Sequence, residues 1–134
     1  MEPAKIVIRY TGGGIIRGYT HDFSPDKPTF YITLVDTFAN DPIEVQVKDL
    51  KAIFFVRNFM GNRLYREQKT FPDGTPITGR KVEVTFKDQE VICGFVWDYD
   101  PNRYGFFLYP SDPFSNNLKI FVVSRAVDKV NDPS

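Results

Sequence analysis

Lys5-Ile6-Val7-Ile8-Arg9-Tyr10, a turn at Gly12-Gly13-Gly14, then Ile15-Ile16-Arg17-Gly18-Tyr19 and onward to Asp36 form a stretch that returns without a gap 76 positions later. The second copy runs from Lys81-Val82-Glu83-Val84-Thr85-Phe86 to Asp112. Lys5, Ile16, Gly18, Asp22, Pro25, Phe30 and Asp36 recur as Lys81, Ile92, Gly94, Asp98, Pro101, Phe106 and Asp112. The chain therefore reads as one small β-unit written twice. In the second copy Val82, Val84 and Phe86 alternate with Glu83, Thr85 and Lys87, the period-two pattern of a strand with one buried and one wet face. Ile6, Ile8 and Tyr10 repeat it in the first copy.

The reversals after these strands use different residues, Gly12-Gly13-Gly14 and Lys87-Asp88-Gln89, and a hairpin is the simplest reading of both. Gly18 and Gly94 fall inside the returning strands, where a bend or bulge has no room for a side chain. A third strand, Phe30-Tyr31-Ile32 or Phe106-Phe107-Leu108, follows proline-containing turns. Ile43, Val45, Leu50 and Ile53 correspond to Ile120, Val122, Val127 and Val130, the spacing of two short closing strands. The expected fold is all-β: two tandem five-stranded antiparallel small barrels related by internal duplication. Their bounds are residues 1–56 and 80–134, with an ordered, basic, aromatic connector over 57–79. Within the connector at most Asn62 to Gln68 forms a brief helix before Pro72. Each copy spans only about 50 residues, near the lower limit for an independent core, so the two are expected to pack as one unit.

Of the 134 residues, 42% are hydrophobic and 16% aromatic, enough for a globular core. One cysteine, Cys93, cannot form an internal bridge and lies in an apolar run as a small hydrophobe. The start of the chain lacks a basic segment followed by an apolar one. No run approaches the roughly 18 apolar residues of a membrane span, so the expectation is a soluble, cytoplasmic protein without a membrane partner. Seventeen basic and seventeen acidic residues cancel, which argues against a nonspecific nucleic-acid binder. The charges are nonetheless uneven: residues 57–81 hold six basic and two acidic side chains.

The second copy, from Lys81 through Gly94 to Tyr99-Asp100, resembles the first half of an Sm-like domain. That resemblance implies a bent five-stranded barrel, a family that often assembles rings and commonly binds RNA. Tyr104 stands where the Sm pattern has an asparagine four residues after the loop aspartate. Arg125-Ala126 is the nearest match to its arginine-glycine pair, and Gln89 occupies a turn where glycine is usual. The chain as a whole, with Phe54-Phe55-Val56-Arg57-Asn58-Phe59, Gly79-Arg80-Lys81-Val82-Glu83-Val84 and Ser115-Asn116-Asn117, is similar to a bacterial tandem-barrel domain of unknown function. Asp22-Phe23-Ser24-Pro25 also resembles the stretch with which PilZ domains hold cyclic di-GMP. Lys27 replaces the glycine of that stretch, and no Arg-x-x-x-Arg precedes the barrel.

His21 is the only histidine, its counterpart is Trp97, and no metal-ligand spacing surrounds it. No nucleophile has a neighbouring base, and Gly12-Gly13-Gly14 leads into a strand instead of the helix a phosphate loop requires. The expectation is a non-enzyme with no cofactor and no metal site. It would act as a protein-binding or self-associating module in bacterial regulation or assembly, using aromatic-rich strands and free sheet edges. The alternatives are an RNA- or nucleotide-binding Sm-like protein and a divergent PilZ-like cyclic di-GMP binder. For nucleic acid the candidate residues are Arg63, Arg66 and Lys69 with Tyr65 and Phe71 in the connector. The repeated loop residues Asp22, Asp36, Asn40, Asp98, Asp112 and Asn116 are a second candidate set, with local turns and caps as their ordinary role.

Overall fold

The computed structural model describes residues 2–35, 41–60, 79–112 and 114–132. Among these residues ten antiparallel strands form one open sheet. The first five are β1 (Ala4–Tyr10), β2 (Ile15–Thr20), β3 (Thr29–Leu34), β4 (Ile43–Gln46) and β5 (Leu50–Val56). The second five are β6 (Arg80–Phe86), β7 (Val91–Val96), β8 (Gly105–Pro110), β9 (Asn117–Val123) and β10 (Val127–Asn131). Their spatial order is β10-β6-β7-β8-β9-β5-β1-β2-β3-β4. Single 3-10 turns, Val47–Asp49 and Ser124–Ala126, link β4 to β5 and β9 to β10.

Strand registers return with the sequence. Ile6 pairs with Gly18 and Val82 with Gly94. Phe30 pairs with Val45 and Phe106 with Val122. Ile8 pairs with Ile53 and Val84 with Val130. The two hairpin turns also share their bonds: Gly13 N donates to Tyr10 O, and Gln89 N donates to Phe86 O. Gly13 has φ +100° and Gln89 φ +78°, so the second turn places an ordinary side chain in left-handed backbone. Gly18 and Gly94 are needed for a different reason. A Cβ on Gly18 would collide with the Thr33 carbonyl oxygen and one on Gly94 with that of Tyr109, because the following strand folds closely over them.

Two separately closed barrels are not what the strand pairing makes. Closure of the first unit would need β5 to use its second edge on β4, but that edge pairs with β9, Ala52 opposite Val122 and Ile53 opposite Phe121. The sheet therefore stays open at β4 and β10. Burial explains why β5 takes this partner. Period-two alternation sends Ile53 and Phe55 into a core with Ile6, Ile8, Phe30, Ile32 and Val45, and a register shift opposite Arg9 and Tyr10 brings Leu50 to the same side. Ala52, between them, joins the other core with Val82, Val84, Phe106 and Leu108. β9 does the reverse, Phe121 and Val123 entering the first core and Ile120 and Val122 the second. Central strands buried on both faces read as continuous apolar runs, as Ala52 to Val56 and Ile120 to Val123 do.

A charged cluster closes over one end of this union. Lys51 on β5, 6% exposed, donates to Asp88 at 2.7 Å and to Glu90, while Arg9 on β1 reaches Glu90 at 3.3 Å. The ammonium lies 4.7 Å from the centre of the Phe86 ring. The hydrogen bond from Lys51, helped by the Glu90 N–H, holds the Asp88 carboxyl below its ordinary range. Sequence reading assigns Asp88 only to a hairpin turn.

Candidate functional site

The 3-10 turns and the loops after β2 and β7 meet along one side of the β5–β9 junction. Ser124 N donates to Tyr104 O and Val47 N to Pro28 O, the same bond in each half, so each loop is fastened to the 3-10 turn of its own half. Between the halves lies an open cleft of about 500 Å³, with Pro25, Asp26 and Lys48 from the first and Asn102, Arg103, Tyr104 and Arg125 from the second. Val47 and Val123 line it as well. A smaller hollow of about 150 Å³ shares Pro25 and Arg103 and extends the cleft to Trp97, Asp98 and Tyr109.

Trp97 is 59% exposed although it is the largest side chain in the molecule, and its ring lies 4.2 Å from that of Tyr109 at 55°. Tyr104 is 44% exposed. Arg103 is oriented by two carboxylates, Asp98 at 3.3 Å and Asp100 at 3.9 Å. Asp100 also accepts from Asn102 N at 2.9 Å, which fixes the loop. Lys48 and Arg125, 77 positions apart, are exposed and have no ion pair among the described residues. The cleft thus offers aromatic surface, two cations without an ion pair among the described residues, one arginine held by carboxylates and the Asp26 carboxylate. Nothing in that set supplies a nucleophile with a base.

Residues 2–132 match the model of a protein family described as a family of unknown function, DUF6982. The chain belongs to DUF6982. No curated protein and no solved structure matches it.

In this DUF6982 chain the repeated loop residues that are described act mainly as turn and cap groups. Asp22 accepts from Tyr31 N at 3.0 Å and from the Thr20 hydroxyl at 3.2 Å. Asp112 is 3% exposed and accepts from Phe114 N at 2.9 Å. Asn116 exchanges two bonds with the Asn58 backbone, which ties the segment after β5 to the start of β9. Asp98 alone lies in the cleft, through Arg103. Asp36 and Asn40 fall outside the described residues, and so do Arg63, Tyr65, Arg66, Lys69 and Phe71, which lie in the part of the connector from 61 to 78 where a brief helix was expected.

The aromatic residues in and just after β2 and β7 divide. Phe23 packs edge-on against Phe30, Phe55, Phe107 and Phe121, so it belongs to the first core. Phe95 is buried, Tyr99 lies against Phe106, and Trp97 turns outward. His21 is exposed just beyond β2 instead of continuing its strand. Among the described residues no three His, Cys, Asp or Glu side chains are placed to hold a metal ion. No helix among them is long and apolar enough to cross a membrane. Sequence reading did not choose Lys48, Arg103 and Arg125 as a site. The available signal was a cation following the fourth strand of each copy, at Lys48 and again at Arg125.

Proposed function

We propose that this protein is a non-catalytic interaction module that binds a segment of a protein partner in the cleft beside the β5–β9 junction, in bacterial regulation or assembly. The observation that carries the reading is the outward Trp97 ring, tilted against Tyr109 and continuous with Arg103 and Tyr104. Tryptophan, tyrosine and arginine are the residues that concentrate binding energy in protein interfaces, and a ring left in water at this cost is available for burial. Charges of both signs border the cleft, which suits a peptide better than a uniformly anionic polymer.

The finer fold reading is that each half curls as an Sm-like small barrel within the open sheet. Its support is that β5-β1-β2-β3-β4 and β10-β6-β7-β8-β9 have the same order. A second functional reading, RNA or nucleotide, is favoured by one observation: Lys48 and Arg125 project at the same cleft without acidic partners among the described residues.

The test compares the intact protein with Trp97→Ala and Tyr104→Ala as baits, alongside RNA and mononucleotide titrations. A partner retained by the wild type and lost with both variants at unchanged circular dichroism supports the protein-binding reading. Retention undiminished by either variant overturns it. RNA affinity that falls with Lys48→Glu or Arg125→Glu, and weakens with salt by a log–log slope of about 0.7 per phosphate contact, moves the assignment to the second reading.

A further inference from the structure

The β5–β9 ladder joins the fifth strand of one repeat to the fourth of the other, and the strands left at the two ends of the sheet, β10 and β4, are the same two kinds of strand. A head-to-tail chain of molecules would therefore repeat the internal junction. Carrying its register over by the 77-residue offset places Lys129 opposite Val45 of the next copy and Val130 opposite its Glu44. From this register we infer that the junction is built to be used once, and that β4 and β10 are closed to a second copy of this chain.

Residue identities at the matching positions carry the argument. Inside the molecule Phe121 and Val123 cross into the first core, while Ala52 crosses into the second. Glu44 and Gln46 stand at the Phe121 and Val123 positions on β4, and Lys129 stands at the Ala52 position on β10. An added copy would drive Glu44 into a core beside Val130 and Lys129 into a core beside Val45. Burying either charge unpaired is strongly unfavourable. The two cannot neutralise each other, because successive positions on a ladder point to opposite faces of the sheet. Pro42 stands where Lys119 pairs with Phe55, so a ladder donor is missing as well. All four of these edge residues and Asn131, which replaces Phe54, are exposed, so water solvates them in the single chain. Inward charges, lysine and proline on an edge are how sheets avoid edge-to-edge growth.

The test opens one edge at a time. One variant carries Pro42→Lys, Glu44→Phe and Gln46→Val, and the other Lys129→Ala and Asn131→Phe. Each alone should keep the mass of one chain in native mass spectrometry, and mixing them should give a complex of two chains that grows no further. In parallel, the chain with Ile43→Cys and Asn131→Cys, opposite each other in the carried-over register and leaving Pro42, Glu44, Gln46 and Lys129 in place, is oxidised, and no ladder of linked copies should form. Folded variants that stay separate when mixed would overturn the inference. A ladder joined through positions 43 and 131 would overturn it whether or not the first pair of variants folds.

Discussion

Phe121→Ala is the substitution that most clearly separates one shared structure from two neighbouring ones. By sequence Phe121 belongs to the second repeat, yet its ring is 1% exposed in the core of the first. It lies 5.0 Å from the Phe23 ring and 5.2 Å from that of Phe107, both edge-on. Removing a buried phenylalanine costs about 3–5 kcal/mol, because transfer energy is lost and the cavity closes only in part. Two edge-to-face contacts, each worth about 0.5–1.5 kcal/mol beyond burial, put this site toward the upper end. Against a total stability of about 5–15 kcal/mol, such a loss is a large fraction of the fold. Equilibrium urea unfolding followed by tryptophan fluorescence and far-ultraviolet circular dichroism reads it out. With m of about 2 kcal/mol/M the midpoint should fall by about 2 M, and both probes should move together in one transition. Phe114→Ala, at a site 77% exposed, is the control and should change stability by less than about 0.5 kcal/mol. A loss under about 1.5 kcal/mol for Phe121→Ala, below the range for emptying a core, would refute the shared-core reasoning. So would two separated transitions.

Gln89→Gly should stabilise the protein by about 1 kcal/mol, since it relieves a side chain at φ +78°, and an unchanged or lowered melting temperature would count against that turn. Gly94→Ala should destabilise strongly, since its Cβ meets the Tyr109 carbonyl, whereas Gly12→Ala, with open space around it, should be close to neutral by the same unfolding assay. Neutralising Asp88 and Glu90 together as Asn and Gln leaves the Lys51 ammonium buried and should cost up to about 3 kcal/mol, whereas Lys51→Met should be nearly neutral; equal losses would contradict the pairing. The lowered Asp88 pKa stabilises the fold fully above the unfolded value of about 4, and that contribution disappears as pH falls through the folded value. Unfolding measured between pH 5 and the acid limit should therefore show a shallower decline in Asp88→Asn than in the wild type.

Much of the fold was legible because strand alternation and the 76-residue return are local or periodic signals. Ile6, Ile8, Val82 and Val84 all occupy the cores their spacing implied. Gly18 and Gly94 were legible as positions without room for a side chain, and the strand crossing them supplies the obstruction. The β5–β9 ladder was not legible, because the partner of an apolar strand is a long-range choice that its own pattern does not encode. Ala52 to Val56 being apolar at every position was the trace of that second partner, and it fitted equally well with burial inside a closed barrel. The cleft was hidden for a related reason. Lys48, Tyr104 and Arg125 lie far apart along the chain and converge only once the two halves share strands. Trp97 was legible as the counterpart of His21, but its outward turn depends on β7 ending at Val96.

Amide hydrogen exchange of the intact chain tests the continuous sheet most directly. The account predicts that Ile53, Phe54, Ile120 and Phe121, at the middle of the β5–β9 ladder, exchange only through global unfolding and are among the slowest amides, while β4 and β10 exchange faster as free edges. Amides of β5 and β9 that exchange as fast as those of β4 and β10 would contradict it.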